Sequence, residues 1–248
     1  MKIKAPLTAA VMTVAMAVSA PAKAVVIADI VFLIDNSLSM GGEIADVKAR
    51  IGDFDTAMVN ASIDAHYGLV RVGGGNPGAH FLQDLVNFAT FTMAGSPFQN
   101  LSANAGNPES GSVGVNVALT STTFRANSVK NLILITDEDD DSSLADFNTA
   151  NAALGAADAL FNYIGALNAG NTQTRYQVLA DNHGGIGFDI TQFQNPATAD
   201  AFFTNFTDTK VQEIINQDPG NRIPEPATLA LFGIGLAGLG FARRRRSA

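Results

Sequence analysis

Oxygen-bearing side chains follow two short apolar runs of the chain and could together hold a metal ion. Asp35, Ser37 and Ser39 occupy alternating positions directly after the first run, and Asp137 directly follows the second. Apolar runs of this length are typical of strands buried on both faces of a parallel sheet, where ligands collect beyond the carboxyl ends of the strands. Carboxylate and hydroxyl oxygens suit hard cations such as Mg²⁺, Ca²⁺ or Mn²⁺. The spacing therefore predicts a divalent-metal site at one edge of a sheet.

The elements that must position these residues alternate between strands and helices. We expect buried strands at 30–34 and 131–136, with weaker candidates at 67–72 and 176–179. Between the first two strands, apolar side chains at helical spacing over 44–58 predict an amphipathic helix. Further helices are expected at four places: 84–92, 113–119, 143–169 and 199–216. This alternation predicts a doubly wound α/β fold, in which helices flank a mostly parallel sheet.

The region around Asp35 resembles the start of a von Willebrand factor A domain, which has a Rossmann-like α/β fold. Residues 29–40 read Asp-Ile-Val-Phe-Leu-Ile-Asp-Asn-Ser-Leu-Ser-Met, and that family carries Asp-x-Ser-x-Ser in its first loop. In the family this motif forms the metal-ion-dependent adhesion site (MIDAS), to which a second loop adds a threonine and a third loop an aspartate. Residues 132–139 are similar to the third loop, so the resemblance gives Asp137 the role of that aspartate. It implies a divalent metal bound between the two loops.

The second loop departs from the family's pattern. No threonine stands at the expected place, and residues 107–113 occupy it instead. Ser112, Ser110 or the carboxylate of Glu109 would have to serve there, or water would fill the gap. A carboxylate would bind the ion more strongly and reduce its remaining attraction for an acidic ligand.

Each of these groups also has a purely structural interpretation. The two serines could cap the helix that follows them. Residues 139–141 are expected to form a solvated acidic loop whose last members cap the next helix, with extra Ca²⁺ ligands as the alternative. Isolated histidines are usually structural, and the phenylalanines of the last helix are expected in the core; these residues are His66, His80, His183, Phe202, Phe203 and Phe206.

The N-terminal segment 1–24 reads as a signal peptide. Lys2 and Lys4 precede an apolar run at 9–20, and Ala22-Lys23-Ala24 has the small-x-small pattern that a signal peptidase accepts. We expect cleavage after Ala24. A retained N-terminal anchor is the alternative, although the apolar run is short for a bilayer span.

The C-terminal segment is expected to span a membrane. An apolar stretch at 227–242 would reach about 24 Å as a helix, against a hydrocarbon core of roughly 30 Å. A basic end at 243–248 follows it and would stay in the cytoplasm, which places the body of the protein outside. A linker at 219–226 joins this helix to the body.

The same segment resembles the PEP-CTERM sorting signal of Gram-negative bacteria. The family's Pro-Glu-Pro motif, spanning helix and basic end occur here in order, with the motif residues Pro224, Glu225 and Pro226 and the basic residues Arg243, Arg244, Arg245 and Arg246. The resemblance implies recognition by an exosortase, anchoring in the inner membrane before processing near the motif, and an association with exopolysaccharide and biofilm. A plain C-terminal anchor is the alternative.

The segment 25–218 is expected to form one domain, and its composition excludes several functions. Residues 25–222 contain 8 Lys or Arg against 22 Asp or Glu, a formal charge of −14. Nucleic acid would be repelled by this charge, whereas divalent cations and neutral glycans remain compatible with it. The chain contains no cysteine, so disulfides, thiolate metal sites and cysteine nucleophiles are excluded.

A noncatalytic binding module is the function these features favour. A bound divalent ion with an open coordination position would accept an oxygen from a protein or polysaccharide outside the cell, in cell adhesion or in the extracellular matrix of a biofilm. One alternative is a metal-dependent hydrolase acting on matrix material, but histidine is scarce and there is no Gly-x-Ser-x-Gly elbow. The other is a structural matrix protein with a degenerate metal site.

Overall fold

Six strands form a single mixed sheet. The computed structural model describes residues 25–75, 78–167 and 170–218, the side chains of 170–174 excepted. The strands are β1 (Val26–Asp35), β2 (Ile63–Val72), β3 (Ala79–Val86), β4 (Val129–Ile135), β5 (Ala159–Gly165) and β6 (Gly187–Asp189). They lie in the order β3-β2-β1-β4-β5-β6, and all neighbours pair in parallel except β2 and β3. The α/β class and the mostly parallel sheet are confirmed.

Helices cover both faces of this sheet. They are α1 (Gly41–Asn60), α2 (Phe88–Phe91), α3 (Pro97–Asn100), α4 (Gly111–Ser121), α5 (Leu144–Ala157), α6 (Gly170–Asn182), α7 (Ile190–Gln194) and α8 (Ala199–Gln217). In β1, Ile30 and Phe32 enter the core beneath α1 and α8, whereas Val31 and Leu33 enter the core beneath α4, α5 and α6. Because both faces are covered, the strand reads as an unbroken apolar run.

Three of the predicted elements were wrong. Residues 176–179 lie in α6 rather than in a strand, because Tyr176 and Leu179 are buried three residues apart while Val178 between them is exposed. Residues 84–86 end the edge strand β3, and only the short α2 follows them. The long helix expected at 143–169 is two elements, α5 and the fully buried strand β5.

The break between α5 and β5 lies at Asp158. This residue adopts the left-handed conformation, with φ 49° and ψ 48°, and its backbone N–H donates to the carbonyls of Gly155 and Leu154. A left-handed residue at this position ends a helix, and glycine or asparagine usually supplies it. An aspartate within an alanine-rich segment gave no comparable signal in the sequence.

The remaining predicted elements are confirmed. The strands at 30–34 and 67–72 and the helices at 44–58, 113–119 and 199–216 each lie inside an observed element, and the strand at 131–136 exceeds β4 by one residue. Among the described residues, no helix combines the length and apolar character needed to cross a bilayer. The signal peptide predicted at 1–24 and the spanning helix predicted at 227–242 lie outside the described residues.

The topology brings two loops to one edge of the sheet. β1 and β4 are parallel neighbours in the centre, with Ile34 opposite Ile135, so the loops that follow them leave the sheet side by side. The loop that leads into α4 packs against both, since Ser37 forms an isolated bridge with Ala105 and the N–H of Asp141 donates to the carbonyl of Glu109 at 3.2 Å. The three predicted ligand loops therefore meet at this edge.

Candidate metal centre

Asp35 lies at the carboxyl end of β1 and is fully buried. One of its carboxylate oxygens, Oδ1, accepts a hydrogen bond from the backbone N–H of Ser37 at 2.8 Å. The other, Oδ2, accepts from the hydroxyl of Thr136 at 2.7 Å. The carboxylate is thus held in one orientation by the loop after β1 and by the residue that follows β4.

The two serines of the motif and Asp137 form a continuous chain of oxygen atoms. The hydroxyl oxygens of Ser37 and Ser39 lie 3.0 Å apart, and the Ser39 hydroxyl donates to Oδ1 of Asp137 at 3.1 Å. Neither serine side chain caps a helix: Ser37 precedes the 3-10 turn Leu38–Met40 and Met40 precedes α1, without a side-chain capping bond in either case. The structure therefore brings Asp35, Ser37, Ser39 and Asp137 together, and it gives the serines no capping role.

Asn36 anchors the loop from its opposite side. Its N–H donates to the carbonyl of Val72 at 3.0 Å, and its side-chain amide donates to Asn104 Oδ1 at 3.0 Å. Its own carbonyl accepts from the N–H groups of Asn104 and Ala105. Asn36 is thus bound both to the end of β2 and to the loop that leads into α4. These bonds fix the orientation of the flanking residues Asp35 and Ser37. The sequence motif did not identify Asn36 or Thr136 as positioning residues.

Ser112, one of the three candidates for the second-loop metal ligand, binds the carboxylate of Asp140. Its hydroxyl donates to Asp140 Oδ2 at 2.6 Å and its N–H to Asp140 Oδ1 at 3.1 Å. Ser110 is buried at the start of α4 and packs against Gly78, where a Cβ would lie 2.7 Å from the serine hydroxyl. Gly78 has a φ of +84°, so both its backbone and its surroundings require glycine.

The acidic stretch after Asp137 is partly buried, so the prediction of a solvated capping loop was wrong for Asp140. That residue is 2% exposed, lies 3.7 Å from the guanidinium of Arg175, and binds the start of α4 through Ser112. Asp141 accepts from the N–H of Glu109 at 3.1 Å. Ser143, rather than an aspartate, caps α5. These contacts connect the third loop to the second.

Negative charge is concentrated at this edge of the sheet. Burial raises the pKa of Asp35, and the charge of Asp137 raises it further, against the hydrogen bonds from Ser37 and Thr136. Burial raises the pKa of Glu109 to about 7, with added repulsion from Asp35 and Asp141. Among the described residues, no salt bridge includes Asp35, Asp137 or Glu109. A bound cation would favour the charged form of all three carboxylates.

The donor set fits a hard divalent cation, but it is small. Ser37, Ser39 and Asp137 are linked oxygen to oxygen, and Asp35 is bound to the N–H of Ser37. The described part of the chain holds no group of three or more His, Cys, Asp or Glu side chains suited to a metal ion. Mg²⁺ takes six oxygen ligands and Ca²⁺ six to eight. Protein ligands would therefore leave positions for water, for Glu109 or for an oxygen of a partner.

The histidines and phenylalanines singled out in the sequence make other contacts. His183 Nε2 is 2.9 Å from Asn151 Oδ1, and burial lowers the pKa of this histidine. His80 lies 3.4 Å from the carbonyl of Gly74. Phe202 and Phe206 are in the core, and Phe203 packs against it. The sorting-motif residues lie outside the described part of the chain.

Comparison with known proteins identifies the C-terminal motif. Residues 222–246 match the PEP-CTERM protein-sorting motif, which implies export and sorting to the cell envelope of a Gram-negative bacterium. No curated protein matches the chain.

Comparison with solved structures identifies the fold. A von Willebrand factor type A structure from Catenulispora acidiphila is 18% identical with a TM-score of 0.54, covering 76% of this chain and 43% of its own. The hypothetical protein BatB from Bacteroides thetaiotaomicron is 15% identical with a TM-score of 0.54, covering 77% and 98%. Proximal thread matrix protein 1 from the mussel byssus, with a zinc-occupied MIDAS motif, is 13% identical with a TM-score of 0.55, covering 75% and 46%.

This chain spans less than half the length of the first and third of these proteins. At such identities the likeness concerns the fold alone. The chain carries a PEP-CTERM protein-sorting motif at its C-terminal end, and its described domain has the fold of von Willebrand factor A domains.

Proposed function

We propose that this protein is an exported, noncatalytic binding module that engages its partner through a divalent metal ion. Asp35, Ser37, Ser39 and Asp137 hold the ion at the edge of the sheet, as Mg²⁺, Ca²⁺ or Mn²⁺. A position left open on the metal accepts an oxygen atom from a protein or polysaccharide outside the cell. The ion supplies a concentrated positive charge to a surface that otherwise repels acidic ligands.

The observation that carries this proposal is the contact between the two loops. The hydroxyl of Ser39, from the loop after β1, reaches Asp137, from the loop after β4, at 3.1 Å. These residues are 98 positions apart in the chain. Ser37, Ser39 and Asp137 thus form a chain of oxygen atoms, and Asp35 is joined to it through the backbone N–H of Ser37. The mussel protein with a zinc-occupied MIDAS motif provides a precedent for metal on this fold.

The rim of the site also supports binding to a macromolecular partner. Leu38 lies between the two motif serines and is 78% exposed. An apolar side chain beside a metal position would be covered when a partner's oxygen reaches the ion. Burial of a leucine side chain contributes about 1.5–3 kcal/mol, which would add to the attraction of the metal.

The sorting motif supports a location outside the cell for this activity. We infer that an exosortase processes the chain near Pro224, Glu225 and Pro226 after export, and that the C-terminal helix holds it in the inner membrane before that step. The motif at 222–246 supports this order. The mature domain then acts at the cell surface or in the extracellular matrix, in adhesion or biofilm organisation.

A metal-dependent hydrolase is the second candidate, and one observation favours it. Glu109 is buried near Asp35, and its carboxylate, kept in the charged form by a bound cation, would act as the general base. A panel of phosphoester, glycoside and peptide substrates tests this, with the Glu109→Gln variant alongside. Turnover that requires metal and is lost in the variant would replace the binding proposal.

Metal titration of the purified protein tests the binding proposal. We expect Mg²⁺, Ca²⁺ or Mn²⁺ to raise the thermal midpoint, since an ion that binds only the folded state stabilises it. The Asp137→Asn variant should lose this response. Asp208→Asn, which changes an exposed aspartate of α8, should keep it and serves as the matched control. No stabilisation of the unaltered protein by any of the three ions would refute the proposal.

A further inference from the structure

A lysine is fully buried in the domain, far along the chain from the metal site. Lys210 of α8 has 0% exposure. Its Nζ lies 2.9 and 2.7 Å from the two carboxylate oxygens of Glu213, and it also contacts Oδ1 of Asn162. Burial of a charged amine carries a large desolvation cost. The proposed metal chemistry gives this residue no role.

The lysine faces an asparagine whose amide is held at every atom. Asn162 is a buried residue of β5. Its Oδ1 accepts from the N–H of Ile186 at 2.7 Å, in addition to the contact with Lys210. Its Nδ2 donates to Glu213 Oε2 at 3.1 Å and to Asn131 Oδ1 at 2.9 Å. Glu213 therefore touches both the amine nitrogen and the amide nitrogen.

Two aromatic rings flank the amine of this cluster. Lys210 Nζ lies 4.8 Å from the ring centroid of Phe188 and 5.7 Å from that of Phe206. Burial lowers the pKa of Lys210 to about 8, although Glu213 acts in the opposite direction. At neutral pH roughly a tenth of such an amine is uncharged, and only the uncharged form is a nucleophile.

We propose that Lys210 and Asn162 become joined by an intramolecular isopeptide bond, with Glu213 as the acid–base group. Lys210 Nζ attacks Cγ of Asn162, so that the Nζ–Cγ bond forms and the Cγ–Nδ2 bond breaks. Glu213 takes a proton from Nζ and delivers it to Nδ2, which leaves as ammonia. The N–H of Ile186 stabilises the charge that develops on Oδ1. The reaction needs no oxidant, reductant or metal, and its net change is the loss of one ammonia.

This bond would lie on the path by which a force on the C-terminal end of the chain reaches the domain. α8 is the last described element before the sorting motif at 222–246, so tension on that end enters the domain through α8, whether it is applied before or after processing. The bond would fasten α8 to the interior strand β5 and close a loop between positions 48 residues apart. A displayed protein that resists detachment would gain from a covalent link at this point. This role does not depend on the metal site.

Mass spectrometry of the unaltered full chain tests the proposal directly. The intact mass should fall short of the sequence mass by one ammonia, after allowance for terminal processing. Trypsin should fail to cut after Lys210, and the peptide 131–175, which contains Asn162, should remain covalently joined to 176–222. An intact mass without this loss, or separate peptides with cleavage after Lys210, would overturn the proposal. Loss of ammonia by succinimide formation elsewhere would leave the peptides separate and would count against it.

Two variants separate the roles of the reacting groups. Lys210→Arg removes the nucleophile and Glu213→Gln removes the proton carrier. Each variant should therefore show the mass of its own sequence, without the loss of ammonia. Both should also melt about 10 °C lower, by analogy with other intrachain cross-links in a domain of this size. Lys130→Arg, which changes a partly exposed lysine that also binds a backbone carbonyl, should keep the linked peptides. Linked peptides in Glu213→Gln at the level of the unaltered protein would contradict its acid–base role.

Discussion

The buried carboxyl of Glu109 makes the stability of the metal-free protein depend on pH. Glu109 is 3% exposed, and burial together with the charges of Asp35 and Asp141 raises its pKa from 4.5 to about 7. A carboxyl whose pKa is raised on folding contributes stability below pH 4.5, and this contribution is lost as the pH rises through 7. At 1.36 kcal/mol per pKa unit, the penalty for ionised Glu109 above pH 7 is on the order of 3 kcal/mol.

The Glu109→Gln variant removes this penalty while preserving the size of the side chain. In chelator at pH 8 we expect it to melt roughly 5–10 °C above the unaltered protein, at 2–4 °C per kcal/mol for a domain of this size. At pH 4.5 the two should melt within a degree or two of each other, since both side chains are then uncharged. Thermal denaturation followed by circular dichroism at the two pH values measures the difference. Asp208→Asn, an exposed change, controls for a general effect of net charge.

Metal should reverse this advantage. A saturating divalent cation would neutralise the acidic edge, so the gain of the variant at pH 8 should shrink or change sign when the ion is added. A variant no more stable than the unaltered protein at pH 8 in chelator would refute the account of a strained acidic cluster. An equal gain at both pH values would show that packing, and not ionisation, is responsible.

Three further predictions concern residues around the site and at the opposite edge of the sheet. Asp35→Asn should not lower the thermal midpoint in chelator, because it removes one of the mutually repelling carboxylates. The same variant should abolish the rise in thermal midpoint on adding metal, which for the unaltered protein is roughly 5–10 °C at 100 times the Kd. Thr136→Val, which removes the hydroxyl bound to Asp35, should weaken metal binding about 10-fold or more by isothermal calorimetry, whereas Thr149→Val on α5 should leave it unchanged. Arg125→Met should cost about 3–5 kcal/mol in urea denaturation, because it leaves the buried Asp29 without its ion pair at 2.6 Å, yet metal affinity should stay the same.

Periodicity in the sequence was sufficient to predict the centre of the fold. The runs that form β1 and β4 are buried on both faces, so nearly every position in them is apolar and they are easily recognised in the sequence. The helix at 44–58 was predicted for the complementary reason, since one face of α1 is buried and the other exposed. The parallel strands β1 and β4 are also what brings the two predicted ligand loops together.

Elements whose boundaries depend on one backbone conformation were missed. β5 lies within an alanine-rich segment, and only the left-handed conformation of Asp158 separates it from α5. Apolar residues alone do not distinguish a buried strand from a buried helix. Because β5 was not predicted, the burial of Asn162 and its contact with Lys210 were not predicted either.

Long-range side-chain contacts were also beyond sequence reasoning. Thr136 was assigned to a strand, and nothing in its neighbours indicated that its hydroxyl would bind Asp35, 101 positions earlier. Asp140 read as part of a solvated acidic run, yet it is buried against Ser112 at the start of α4. Such pairings depend on how the loops meet, which the order of the strands determines.

Metal occupancy at the edge of the sheet is the central claim, and an anomalous difference map from crystals grown with Mn²⁺ tests it most directly. We expect a peak between the loops after β1 and β4, about 2.0–2.6 Å from the hydroxyl oxygens of Ser37 and Ser39 and within reach of Asp137. A map without a peak there at millimolar Mn²⁺, or with manganese bound only elsewhere on the acidic surface, would contradict the proposed function.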